Sequence, residues 1–90
     1  MSRRLVSIRR EIMDEALTSY DSAWAALEQR VTASGAHAWR FVSAAYPMRY
    51  LEFLEFAADA DPRGESGVAD ALAAIGRIAP GTVEEWDETA

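Results

Sequence analysis

The segment WRFVSAAYPMRYLEFLEF, residues 39–56, holds six of the nine aromatic residues of this chain, together with two arginines and two glutamates. Aromatic and β-branched side chains favour extended backbone, and AYPMR supplies turn residues at its middle, so the segment reads as a β-hairpin. With Pro47 and Met48 at the tip, Trp39 faces Phe56, Phe41 faces Leu54, Val42 faces Phe53 and Arg40 faces Glu55. Such cross-strand pairs contribute ~0.2–1 kcal/mol each, and a slip of one residue sets Arg40 against an apolar neighbour. In this register Trp39, Phe41, Leu54 and Phe56 share one face, and Val42, Leu51 and Phe53 share the other. A sheet with one face in water alternates apolar with polar residues. Here both faces are apolar. Two helices can cover only one side of a small sheet, which leaves the second side for another copy of the chain.

The helices stand on either side of this segment. In DEALTSYDSAWAALEQRVTASG, residues Leu17, Tyr20, Trp24, Leu27 and Val31 repeat at helical spacing and form one stripe. Asp14 is placed to cap this helix, Glu15 suits the positive end of its dipole, and Gly35 suits its C-terminus. In SGVADALAAIGRIAPG, residues Val68, Leu72, Ile75 and Ala79 line a second stripe, with Ser66 as N-cap and Pro80-Gly81 as the stop. Gly76 inside that helix costs about 1 kcal/mol relative to Ala, which points to close packing there.

The first residues, RRLVSIRREI, fit two readings. Val6, Ile8 and Ile12 alternate as in a strand, while Leu5, Ile8 and Ile12 fit a helix. One helix running over residues 3–34 is long for a chain of 90 residues, so a strand is favoured, and an all-α chain is the alternative. The expected unit is one domain over 1–90, with its core at about 4–80. Residues 81–90 form either a short strand around Val83 and Trp86 or a loose acidic tail. The element order is then β-α-β-β-α(-β), a ferredoxin-like α+β fold with both helices on one face of an antiparallel sheet.

Composition removes several classes of function. The net charge of −6 disfavours a phosphate backbone, although Arg3, Arg4, Arg9 and Arg10 give the first strand a local basic edge. No cysteine is present, and His37 is the only histidine, so neither thiolate chemistry nor a metal site is expected. Serines stand in no nucleophile motif, and no glycine-rich phosphate loop occurs. No apolar run approaches the ~20 residues that span a bilayer, and the N-terminal stretch lacks the apolar core of a secretion signal. A cytoplasmic bacterial protein is the expectation, and the all-Arg, Lys-free basic content fits a GC-rich genome.

LVSIRREI leading into the first helix, Gly35 followed by AWRFVSAAYP, and RYLEFLEFA together resemble the dimeric α/β-barrel superfamily, in particular its NIPSNAP and antibiotic-biosynthesis-monooxygenase domains. The likeness covers about residues 4–80. It implies two sheets facing each other across a homodimer to form a barrel, with room for a small apolar or aromatic ligand. The activities it implies include cofactor-independent monooxygenation. The haem-degrading branch uses an Asn, a Trp and a His; this chain has no Asn, and His37 precedes the second strand, so no cofactor is expected. Arg40 and Glu55 are the polar pair to orient a ligand or to brace the hairpin. Tyr20 can turn a hydroxyl toward a pocket, and Phe53 is the apolar member of the candidate lining. A dimerisation module with no ligand is the alternative reading.

Overall fold

A computed structural model of the chain describes residues 2–90. Strand β1 (Arg3–Glu11) is followed by helix α1 (Leu17–Ala33), strands β2 (His37–Val42) and β3 (Arg49–Ala57), helix α2 (Ser66–Ile78) and strand β4 (Thr82–Asp87). The strands make one antiparallel sheet in the order β2-β3-β1-β4. This is the expected ferredoxin-like α+β fold. The ambiguous first segment is the central strand β1, and the acidic tail contributes the edge strand β4.

Both helices cover one face of the sheet. Val6 and Ile8 of β1 and Leu54 and Phe56 of β3 meet Tyr20, Trp24, Leu27 and Val31 of α1 and Val68, Ala71 and Ile75 of α2 in a single buried core. The α1 stripe is thus the one the spacing predicts. Gly35 ends that helix at φ +91°, a left-handed conformation that glycine adopts without a Cβ penalty.

Several local expectations change. The Asp14 side chain does not cap α1, because a 3₁₀ turn over Asp14–Ala16 precedes the helix and Ala16 takes the N-cap place. Ser66 is the first residue of α2, with Glu65 ahead of it, and neither side chain caps the helix. On α2 the smaller Ala71 is buried while Leu72 is only half-buried.

The hairpin forms, but in a register three residues from the expected one. Trp39 lies opposite Phe53, Arg40 opposite Glu52, Phe41 opposite Leu51, and Glu55 opposite His37. The cause is the connection: residues 43–48 all lie outside the strands, so Pro47-Met48 is not a tight tip. Ser43 Oγ accepts from the N–H groups of Ala45 and Tyr46, and the Ile12 N–H donates to the Met48 carbonyl, tying the connection to the end of β1. An odd shift exchanges faces. Trp39 and Phe41 therefore join Leu51 and Phe53 on the face away from the helices, and Arg40 turns under them.

Close packing by glycine occurs at Gly81, not at Gly76. A Cβ on Gly76 meets nothing within 4 Å, whereas one on Gly81 falls 2.5 Å from Ile8 Cγ2. Gly81→Ala is expected to cost ~1–3 kcal/mol through overpacking, while Gly76→Ala gains up to ~1 kcal/mol from helix propensity. Urea midpoints of the two variants check the contrast.

Candidate functional site

On the helix face of the sheet, a carboxylate and a guanidinium sit within the core. The even-numbered residues of β3 run Tyr50, Glu52, Leu54, Phe56 toward the helices, and those of β1 run Val6, Ile8, Arg10. Alternation therefore places Glu52 and Arg10 among apolar neighbours, where Glu52 is fully buried and Arg10 nearly so. Glu52 Oε2 accepts from Arg10 Nε at 2.9 Å and from the Tyr20 hydroxyl at 2.6 Å. Arg10 Nη1 also donates to the Ala79 carbonyl at 2.7 Å. A buried charge of either sign is costly unless paired and hydrogen-bonded, and this cluster supplies both conditions.

Arg40 completes the cluster. Its guanidinium carbon lies 5.0 Å from the Tyr20 ring centre and 5.6 Å from those of Trp24 and Tyr50, and its Nη2 reaches Asp21 Oδ1 at 2.8 Å. Glu52 Oε1 and Arg40 Nη1 are buried without a hydrogen-bond partner in the protein. Burial, then the hydrogen bond and charge of Glu52, push the Tyr20 hydroxyl well above its ordinary 10.0, with Arg40 opposing.

The other face of the sheet carries a different site. Leu5, Ser7 and Arg9 of β1, Phe41 of β2, Leu51 and Phe53 of β3, and Glu84 and Trp86 of β4 line a concavity of about 490 Å³, with Arg49 at the start of β3. Phe41 is 56% and Trp86 53% exposed. Phe53 packs against both Trp39 and Phe41, with ring centres 5.8 Å apart in each pair. The Trp86 Nε1–H donates to Ser7 Oγ at 3.3 Å, which lays the indole across the strand. The volume and the mainly apolar lining with few polar groups suit a small organic molecule.

The architecture bearing these two sites occurs in known proteins. A conserved protein of unknown function from Bacteroides thetaiotaomicron aligns over 97% of this chain and 98% of its own, with TM-score 0.82 and 13% identity. SnoaB, a cofactor-independent oxygenase from Streptomyces nogalater, aligns over 98% and 92%, with TM-score 0.77 and 15% identity. A candidate antibiotic biosynthesis monooxygenase from Caulobacter crescentus aligns over 99% and 90%, with TM-score 0.79 and 18% identity. The chain has the fold of the antibiotic-biosynthesis monooxygenase domains. No protein-family model and no curated protein matches it.

Within this monooxygenase-domain fold the four residues singled out from sequence separate. Tyr20 and Arg40 come together beneath the helices, and Phe53 lines the concavity on the opposite face. Glu55 also lies on that opposite face, but it binds Arg3 at 3.1 Å and does not meet Arg40. The Arg40–Glu55 pair is thus replaced by Arg40–Asp21, a consequence of the shifted register. Glu52 and Arg10 went unnoticed as a pair. The signal for them was present: both stand in phase with the apolar alternation of their strands, where a charge has no place unless matched. Among the described residues, no cluster of three or more His, Asp or Glu side chains is placed to hold a metal ion.

Two outcomes follow from the buried cluster. Arg10→Met removes the cation that pairs with buried Glu52, and is expected to cost ~3–5 kcal/mol in urea unfolding. Adding Glu52→Leu restores most of that loss. Tyr20 supplies a pH dependence of definite sign. Below pH ~10 the phenol is neutral in folded and unfolded chain alike; above it the unfolded chain ionises first, so stability falls with rising pH. Tyr20→Phe should flatten that alkaline limb when urea midpoints are followed from pH 8 to 11.

Proposed function

We propose that this chain is a small-molecule-binding protein that works as a homodimer, two copies closing their helix-free sheet faces over the concavity to form a barrel. The observation that carries this reading is the apolar, helix-free face itself. Leu5, Phe41, Leu51, Phe53 and Trp86 make up a contiguous surface around a volume of about 490 Å³. Monomeric proteins seldom leave such patches uncovered. Two sheets pack face to face at ~10 Å, close enough for side chains from both to enclose a ligand between them.

Oxygenase-like chemistry on that ligand is the activity to which the fold points, since SnoaB, which shares it, is a cofactor-independent oxygenase. The buried Tyr20–Glu52–Arg10 cluster is assigned to stability, because neither Tyr20 nor Glu52 lines the concavity and Arg10 is held by Glu52 and the Ala79 carbonyl. Dimerisation without a ligand is the rival.

Sedimentation velocity at micromolar concentration is expected to give a dimer, and Phe41→Glu with Leu51→Glu is expected to give a folded monomer. A wild-type monomer would remove the barrel. Calorimetric titration of the dimer with a small bicyclic aromatic, naphthamide, separates ligand binding from bare dimerisation: no heat of binding favours the rival.

A further inference from the structure

The groove is apolar along most of its length but not at one end. There β1 and β3 present Arg9 and Arg49, and these two side chains also line a second, polar concavity of about 470 Å³ with Arg10, Glu11, Pro80 and Thr82. The two concavities thus adjoin at a pair of arginines. This contrast of chemistry, apolar body and basic end, is what a ligand must match.

Arg9 stands apart from the other arginines. Arg3, Arg4, Arg10, Arg40, Arg49 and Arg63 each hold a carboxylate within 4 Å, and Arg30 donates to the Gly67 carbonyl. Arg9 has no such partner among the described residues, in a chain whose net charge is −6. Arg77, also without one, lies in the last turn of α2, where a cation complements the helix dipole. No equivalent reason holds for Arg9. It projects from a central strand onto the face that a second copy would cover, and there a lone guanidinium would be buried uncompensated. Such burial is unfavourable unless an anion accompanies it.

The surroundings of Arg9 define what that anion meets. Arg49 uses Nε on Glu11 at 2.8 Å and stacks its guanidinium 4.7 Å from the Tyr46 ring centre. Glu84 faces the same groove from β4 as a diagonal neighbour of Arg9, opposite Ser7, yet the two form no ion pair among the described residues. The Arg9 guanidinium is therefore left open to a ligand.

Resting on the groove as the ligand site, we propose that its ligand is an aromatic or otherwise apolar molecule bearing one carboxylate, with the flat body against Phe41, Leu51, Phe53 and Trp86 and the carboxylate on Arg9. Arginine presents a planar fork of donors that matches a carboxylate in two parallel hydrogen bonds. Trp86, held across Ser7, forms the wall beside the apolar body.

Isothermal titration of the full chain with naphthoate and with naphthamide tests this, since the two share one ring system and differ in charge. Naphthoate should bind at least about tenfold more tightly than naphthamide, the scale of a charge-assisted contact. Arg9→Gln should abolish that preference, bringing naphthoate affinity down to about that of naphthamide; circular dichroism confirms that the variant is folded. Equal binding of both compounds by the wild type overturns the carboxylate assignment and leaves the apolar groove standing. A preference that survives in Arg9→Gln overturns it as well. Binding of neither compound removes the groove as a ligand site, and the assignment with it.

Discussion

Glu52 is the residue on which the arrangement of the sheet and helices depends. Its carboxylate accepts from Arg10 on β1 and from Tyr20 on α1, so one oxygen joins both central strands to the helix above them. Arg10 extends the connection to the Ala79 carbonyl at the end of α2. That contact holds the chain where Gly81 passes tightly over Ile8 and Arg10 on its way into β4. A core of apolar contacts tolerates many small rearrangements, whereas a paired buried charge accepts few. The cluster therefore gives the packing a definite position as well as a share of its energy.

The sheet keeps its two kinds of chemistry apart. Beneath the helices, charge is enclosed and matched: Arg10 by Glu52, and Arg40 by Asp21 and the rings of Tyr20, Trp24 and Tyr50. On the far face, aromatic rings lie open around the groove and an arginine stands without a carboxylate. Period-two alternation makes the separation possible, because adjacent residues such as Glu52 and Phe53 serve opposite faces. Two elements so close in sequence can then change independently in function.

Periodicity carried the reading of the elements, and long-range pairing limited it. The α1 stripe from Tyr20 to Val31 and the left-handed close at Gly35 were legible because each depends on local spacing or one backbone conformation, whereas the spacing of residues 3–12 fits strand and helix alike and only the length of a continuous helix favoured the strand. The hairpin was legible as a hairpin, but its register was not. Pair chemistry favoured Arg40 with Glu55, yet the pairing is governed by hydrogen bonds that Ser43 and Met48 make in the connection, which spacing does not reveal. Of the residues singled out, Tyr20 and Arg40 stand together beneath the helices and Phe53 lies on the opposite face, a separation that the expected register does not give. The Arg10–Glu52 pair needed two strands compared at once, a step that reading each strand singly does not include.

The connection between β2 and β3 has a consequence for how this chain can change over evolutionary time. Its residues 43–48 lie outside both strands, so a residue gained or lost there alters the loop and can leave the pairing of β2 with β3 as it stands. The same change inside β2 is different: unless absorbed as a bulge, it would pass Arg40 into the groove and Phe41 under the helices. Lineages carrying this arrangement are expected to vary the length of the connection far more freely than that of the strand before it.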